Sequence, residues 1–405
     1  MEECFTMIKR ISLILLSSLL LLTGCLNRDK LQKEEEVVKK KGKTEEKAII
    51  TGEIKTGEKY YRSIVPFEPG GARGLIKYGV DNRLDINEFE LGLMRIAQDD
   101  FSTDKYYYQE GQYLSSTTVN NWLKRADEKV EKNSKTDMTQ KGLNPALGVK
   151  KDAPYKQVLD AEDKHPKYLS YVLEQNYLVQ SGNDKVKLGG LVVGLSFNST
   201  YYYKATDSSG LIYNGSKKLQ ASDVAQEARQ MGQQVVKRLR QNSSLKNVPI
   251  TIALYQEAEK ESVTPGHFFA KAEAGAGSTQ LGSWDKIDEK YYLFPSKEAT
   301  ANKRDDAEKF NNFKSKIQDY FPNYVGVIGK AHYHDGSLDR LDIDIPMQFQ
   351  GKAEVISFTQ YVTSSVMKEL PNVPVTINIQ SAVNEPEALI VRDDGSGEPN
   401  VHIYR

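Results

Sequence analysis

Cysteine is nearly missing from this chain. Two occur in 405 residues, Cys4 and Cys25, both within the first 25 positions. The remainder therefore has no disulfide, no thiolate metal ligand and no cysteine nucleophile. A surplus of positive charge is missing too. Lys+Arg and Asp+Glu are both 55, for a formal net charge of zero. That balance argues against nucleic acid as a partner, because phosphate binding needs an excess of Lys and Arg. Tryptophan is scarce at 2, against 23 tyrosines, and we read the tyrosines as half-buried strand residues. No Gly-x-Ser-x-Gly elbow and no His-Glu-x-x-His pair is present, so two common hydrolase signatures are excluded. What remains is a 39% hydrophobic, 27% charged chain. It is long enough for two or three domains around a core.

The first segment is an export signal. Lys9 and Arg10 precede an apolar run over 11–22, interrupted by Ser12, Ser17 and Ser18. Basic start, short apolar stretch and small residues at the cut are the order of a secretory signal. Met7 is an alternative start. A helix over the run would rise about 18 Å at about 1.5 Å per residue, short of a ~30 Å hydrocarbon core. Leu22-Thr23-Gly24-Cys25 reads as a lipobox, with Leu22, Thr23 and Gly24 recognised by the signal peptidase and Cys25 accepting diacylglycerol. Two acyl chains hold a protein on a membrane where one would not. The alternative is an ordinary secretory signal with a chance cysteine. The Lys- and Glu-rich segment over 26–47 has no aromatic residue and reads as a flexible tether spanning about 26 Å as a coil.

Beyond the tether the patterning is α+β. The sequence predicts a strand over 60–67 and another at Tyr106, Tyr107 and Tyr108. It predicts a helix over 85–98, with Asp85 as cap, Glu88 three residues on, and Ile86, Phe89, Leu93 and Ile96 at helical spacing. A second helix is expected over 116–130, and the polar stretch 133–154 is expected to be a linker or long loop.

An internal repeat follows. Val248-Pro249-Ile250-Thr251-Ile252 matches Val373-Pro374-Val375-Thr376-Ile377, each after an asparagine. Before them, Val224, Ala228, Met231, Val235 and Leu239 correspond to Val355, Thr359, Val362, Val366 and Leu370 as helix faces. Strands over 191–197 and 341–349 precede those helices, and Asn176-Tyr177-Leu178 matches Asn323-Tyr324-Val325. The common order is helix, strand, hairpin, strand, helix, strand. Asp342 and Asp344 alternate with Leu341, Ile343 and Ile345, which implies one buried and one solvated face. The expected architecture is α+β sheets with helices packed on one face. The expected divisions are a signal peptide at 1–24, lipidated cysteine and tether at 25–47, and an N-terminal α+β region at 48–150. The first repeat follows at 151–265, then a connecting excursion at 266–310 and the second repeat at 311–405.

Arg73-Gly74-Leu75-Ile76, Asn82-Arg83-Leu84-Asp85, Glu88-Phe89-Glu90-Leu91-Gly92-Leu93-Met94 and the two Asn-Val-Pro-[Ile/Val]-Thr-Ile segments, together with the lipobox and tether, resemble the CamS family. These are sex-pheromone precursor lipoproteins of Gram-positive bacteria. The resemblance implies a short apolar peptide released from the signal sequence. The stretch in that place is Ser18-Leu19-Leu20-Leu21-Leu22-Thr23-Gly24, which departs from the family's Ala-Ile-Phe-Ile-Leu-Ala pattern.

Two constellations could carry chemistry. His332-Tyr333-His334-Asp335 would put two imidazoles on one strand face, with Asp335 or Asp339 adding a carboxylate, although zinc needs three or four ligands. The alternative is a polar strand leading into an Asp335-Gly336 hairpin turn. Pro69-Gly70-Gly71-Ala72-Arg73-Gly74 follows a strand, and its amides could cradle an anion. The alternative is a tight turn needing positive φ. Gly70, Gly71, Arg73 and Gly74 are the candidate ligand contacts. His267, after Thr264-Pro265-Gly266, reads as a loop histidine over Phe268 and Phe269. The leading expectation is a non-enzymatic lipoprotein on the outer face of the cytoplasmic membrane, without cofactor, binding an envelope protein, peptide or wall polymer. The alternatives are a wall hydrolase or metal enzyme using His332 and His334, and a solute receptor of an importer.

Overall fold

The computed structural model describes residues 46–47, 49–50, 60–73, 82–132, 138–182, 185–320, 326–349, 351–393 and 397–405. All belong to a compact unit over 44–405. The lipobox, nearly all of the tether, Gly74 and Asn323-Tyr324-Val325 lie outside the described residues.

In chain order the strands are β1 (Glu46–Lys47), β2 (Ile49–Ile50), β3 (Arg62–Val65), β4 (Tyr106–Glu110), β5 (Leu169–Gly182), β6 (Lys185–Phe197), β7 (Thr200–Thr206), β8 (Ile212–Lys218) and β9 (Ile250–Gln256). There follow β10 (His267–Ala274), β11 (Asp285–Lys286), β12 (Glu289–Phe294), β13 (Ile328–His334), β14 (Ser337–Met347), β15 (Val375–Ser381), β16 (Pro386–Arg392) and β17 (Asn400–Ile403). The helices are α1 (Ile86–Ala97), α2 (Ser116–Trp122), α3 (Tyr155–Lys164), α4 (Ala221–Leu239), α5 (Lys297–Asn302), α6 (Arg304–Tyr320) and α7 (Lys352–Glu369).

Two large mixed sheets result. The first runs β11-β10-β9-β6-β5-β4-β3-β2, with β1 also on β6; the second runs β12-β13-β14-β15-β16-β17. Both contain an antiparallel pair, a crossover helix and a parallel strand. In the first, β5 and β6 pair, α4 crosses, and β9 lies parallel to β6 with Leu191 opposite Ile250. In the second, β13 and β14 pair, α7 crosses, and β15 lies parallel to β14 with Leu341 opposite Val375. The amides of Leu191 and Leu341 donate to the carbonyls of Pro249 and Pro374, at 3.0 and 2.9 Å. Proline lacks an N–H but keeps its acceptor, which suits it to the entry of a strand. The helices preceding each antiparallel pair sit differently. α3 packs on β7 and β8, whereas α6 packs beside α7.

The layering departs from the one-face expectation. Leu191, Val193, Leu195 and Phe197 of β6 pack with Val224, Ala228, Met231 and Val235 of α4. Val192 faces the opposite way, into a cluster with Phe89 and Leu93 of α1. The first sheet is thus covered by helices on both faces. In the second, Leu341, Ile343, Ile345 and Ile377 pack with Phe310 and Phe313 of α6 and with Phe358 and Val362 of α7, while Asp344 on the other face is exposed.

Two further expectations are corrected and one is narrowed. The helix expected over 116–130 stops at Trp122. Its carbonyls are taken from outside: the Leu143 amide donates to Trp122 (2.9 Å), and Asn144 donates to Leu123 through its side chain (2.9 Å) and to Lys124 through its backbone (3.2 Å). Gly142 permits this crossing, since a Cβ there would lie 2.2 Å from the Arg125 carbonyl oxygen. Of the linker or long loop expected over 133–154, the described residues 138–154 form a long loop without helix or strand, and it is no free linker, since Met138, Leu143 and Asn144 are buried. The 266–310 stretch is not an excursion but supplies β10 and β11 to the first sheet and β12 to the second.

Candidate functional site

A cleft of about 280 Å³ opens where the 70–73 loop, α1, β4 and β5 meet. Local sequence places its walls. The Asp85 side chain accepts from the Glu88 amide at 3.1 Å and starts α1. Ile86 and Glu90, four residues apart on one helix face, then both line the cleft. Alternation along β4 sends Tyr108 and Glu110 to the cleft and buries Tyr107 on the opposite side. Tyr171, Leu173 and Glu174 come from β5, and Leu114 closes one end.

Glu174 organises the floor. Its carboxylate accepts from the amides of Gln112 (3.0 Å), Tyr113 (3.1 Å) and Leu114 (2.6 Å). Burial nevertheless pushes its carboxyl up to about 7, against the pull of those amides. Nearer the mouth, Tyr108 donates to Glu90 at 3.2 Å. Burial first and Glu90 second raise both Tyr108 and Tyr171 above the ordinary phenol value. Among the described residues the cleft lining therefore holds three carboxyl groups against a single arginine. That residue, Arg73, is 58% exposed and lies 3.5 Å from Glu110, with Phe67 under its guanidinium at 5.3 Å.

The sequence-derived contacts divide. Gly70 and Arg73 line the cleft, Gly71 sits beside it, and Gly74 is outside the described residues. The loop does not present an empty anion cradle. The Gly70 amide donates to Glu110 Oε2 at 2.6 Å, and those of Gly71 and Arg73 donate to the carbonyls of Gly111 and Gly70, each at 3.0 Å. Nor do Gly70 and Gly71 adopt positive φ. Gly71 is required by close approach, since a Cβ would meet the Leu114 carbonyl oxygen at 2.9 Å.

The histidine pair also separates. Asp335 and Gly336 have φ of 49° and 78° and make the turn between β13 and β14. His332 points inward: Nδ1 is 3.0 Å from Asp339 Oδ2, and Nε2 is 3.9 Å from Glu289 Oε1. His334 is 49% exposed, with Asp335 at 3.8 Å. The register shift opposite His332 and Tyr333 leaves Asp339 of β14 unpaired in the ladder, and β13 keeps an unbroken register with β12. Among the described residues no three His, Cys, Asp or Glu side chains are grouped to hold a metal ion. His267 is not in a loop; it opens β10 opposite Gln256.

Glu90, Glu110, Glu174, Tyr108 and Tyr171 were not singled out from sequence. One signal existed. Glu174 interrupts the apolar run Leu169-Ser170-Tyr171-Val172-Leu173, and a carboxylate in a buried strand needs dedicated donors.

By fold and site, this is an α+β protein of two mixed sheets with a polar, aromatic-lined cleft beside the first. Comparison with known proteins makes that more specific. The chain belongs to the CamS family, described as CamS sex pheromone cAM373 precursor, whose profile matches residues 67–398. The sex pheromone precursor of Lactobacillus salivarius subsp. salivarius is similar in structure, with a TM-score of 0.74 and 31% identity over 88% of this chain and 99% of that one. The C-terminal domain of the sex pheromone staph-cAM373 precursor of Staphylococcus aureus is similar with a TM-score of 0.65 and 34% identity, covering 79% of this chain and 96% of that one. No curated protein matches in sequence. Membership in a pheromone-precursor family suggests a secreted or surface protein. Among the described residues no helix is long and apolar enough to cross a membrane.

Proposed function

We propose that the chain is a surface lipoprotein, held on the outer face of the cytoplasmic membrane by diacylglycerol on Cys25. Its folded part binds an envelope partner, whether peptide, wall polymer or protein, without catalysing a reaction. Family membership supports the precursor role, and the Leu22-Thr23-Gly24-Cys25 sequence supports the anchor. The single observation carrying the binding role is the cleft itself, where Ile86, Leu114, Leu173, Tyr108 and Tyr171 form apolar walls around Glu90, Glu110 and Glu174. Small-molecule and peptide sites commonly combine apolar walls with a few placed polar groups. The carboxyl excess favours a partner bearing an amine or guanidinium on an apolar stem. The alternative, a metal-dependent enzyme or wall hydrolase using His332 and His334, would need both imidazoles at one site, and His332 is instead buried between Asp339 and Glu289.

Two measurements test this. Labelled palmitate should enter the wild-type protein and not Cys25→Ser, which should leave the membrane fraction; equal labelling would remove the anchor. For the cleft, titration with a lysine-containing wall peptide should give a Kd that rises at least about tenfold in Glu90→Gln, about 1.4 kcal/mol. Identical binding by both proteins would move the contact elsewhere.

A further inference from the structure

The two sheets have separate apolar cores, and charged side chains connect α1 of the first to β12, β13 and β14 of the second. Starting at Asp339, His332 Nδ1 lies 3.0 Å away and His332 Nε2 is 3.9 Å from Glu289 Oε1. Glu289 Oε1 accepts from Arg95 Nε and Nη2 at 3.1 and 2.8 Å. Arg95 Nη2 is also 3.4 Å from Glu88 Oε1. Glu88 Oε2 is 3.5 Å from Arg340 Nη2, and Arg340 Nε donates to Asp342 at 3.0 Å. The chain Asp339, His332, Glu289, Arg95, Glu88, Arg340, Asp342 alternates in sign when the imidazole is charged. When it is neutral, four carboxylates face two guanidiniums.

We propose that His332 is a proton-operated latch: charged, it completes the ionic chain that holds the second sheet to α1, and neutral, it leaves Glu289 to Arg95 alone and loosens that join. The ring is buried, 1% exposed, between Asp339 at Nδ1 and Glu289 at Nε2, so its charge acts on those carboxylates with little screening by solvent. The Tyr291 ring lies against it, with centroids 4.7 Å apart and planes tilted by 35°. Burial opposes the charged ring, but Asp339 and Glu289 outweigh burial and Arg95, moving its pKa upward from 6.5. Correspondingly, Asp339 is held down to about 2, mainly by its hydrogen bond to His332. Glu289 is also held down to about 2 despite burial, by His332 and Arg95. A histidine raised on folding contributes stability that is complete below its unfolded value and is lost as pH climbs through the folded one. The latch therefore opens on the alkaline side. His267 on β10, which also faces Glu289 together with Asp288 and Lys290, is pushed the other way by burial and weakens the region only on acidification. Because α1 also brings Ile86 and Glu90 to the cleft, the latch and the candidate site share one helix.

Amide hydrogen exchange on the full chain, corrected for intrinsic rate and followed from pH 6 to 9, tests the latch. Amides of β12 and α1 should exchange at least about tenfold faster at the alkaline end, about 1.4 kcal/mol of lost protection, while those of β15 stay unchanged. His332→Gln should already exchange fast at pH 6 and lose most of the further rise. Asp339→Asn alters a carboxylate 48% exposed, which spares the fold, and should move the midpoint to lower pH, because the ring loses its hydrogen-bonded anion. Since Glu174 also titrates in this range, a flat wild-type profile, a pH response of β12 and α1 as large in His332→Gln as in the wild type, or an unmoved midpoint in Asp339→Asn would each overturn the proposal. If His332→Gln fails to fold, the Asp339→Asn midpoint decides.

Discussion

The β5-β6-β9 and β13-β14-β15 regions share a strand order and differ in what covers them. In β6, Leu191 to Phe197 is apolar almost without interruption, because α4 packs on one face and α1 on the other. In β14, Leu341, Ile343 and Ile345 alternate with Asp342 and Asp344, because α6 and α7 cover one face only. The register makes the comparison position by position. Leu191 and Leu341 occupy the same place relative to the parallel strand, so Val192 corresponds to Asp342 and Gly194 to Asp344. A continuous apolar strand reports burial on two faces, and an alternating one reports burial on one. The difference lies in the layer added by α1, and that helix also forms the cleft wall.

The largest expected effect comes from giving the first sheet the second sheet's pattern. Val192→Asp puts an unpaired carboxylate between β6 and α1, where Val192 is wholly buried. Urea unfolding should show a loss of more than about 4 kcal/mol or no folded protein. A loss under about 1 kcal/mol would mean that α1 is not firmly seated. Glu174→Gln should have an intermediate effect with a defined sign. A carboxyl raised on folding from 4.5 to about 7 stabilises least when ionised, so the wild type should lose up to about 3 kcal/mol as pH rises from 4.5 to 8. The variant should lack that component while paying about 1–2 kcal/mol at acid pH for weaker acceptance from the 112–114 amides. Parallel pH profiles for the two proteins would show that Glu174 does not titrate in this range. The smallest effect belongs to the reverse exchange on the open face. Asp344→Val removes one exposed hydrogen bond from Asn378 and should change stability by no more than about 0.5 kcal/mol. A larger loss would indicate that the outer face of the second sheet is covered.

Much of the secondary structure was legible because its causes are local. The Asp85 cap and the Ile86, Phe89, Leu93 and Ile96 spacing announce α1. The alternation of Leu341 to Ile345 announces a half-buried strand, and Asp335-Gly336 announces its turn. The helix expected over 116–130 failed for a non-local reason. Its apolar spacing continues past Trp122, but the carbonyls that would propagate it are taken by residues about twenty positions downstream. The cleft was only half legible. Gly70 and Arg73 stood out because glycine and arginine are conspicuous in a loop. Glu90, Glu110 and Glu174 come from three elements spread over 85 positions, and nothing in a linear pattern says that they converge. His332 and His334 misled because a shared strand face is not a shared site: His332 is buried between Asp339 and Glu289, whereas His334 ends the strand half exposed.

By itself, the sequence determined the local conformations: where helices begin, which strand residues alternate, and where the turns fall. It also determined the chemical character of the N-terminal segment around Cys25. Those features arise from hydrogen bonds, torsions and apolar spacing within a few residues. Only the tertiary structure decided that α1 covers the second face of the first sheet, that the 70–73 amides find internal acceptors, and that His332 sits between two carboxylates. Each depends on packing and electrostatic contact between segments far apart in the chain, where burial sets both the geometry and the charge state.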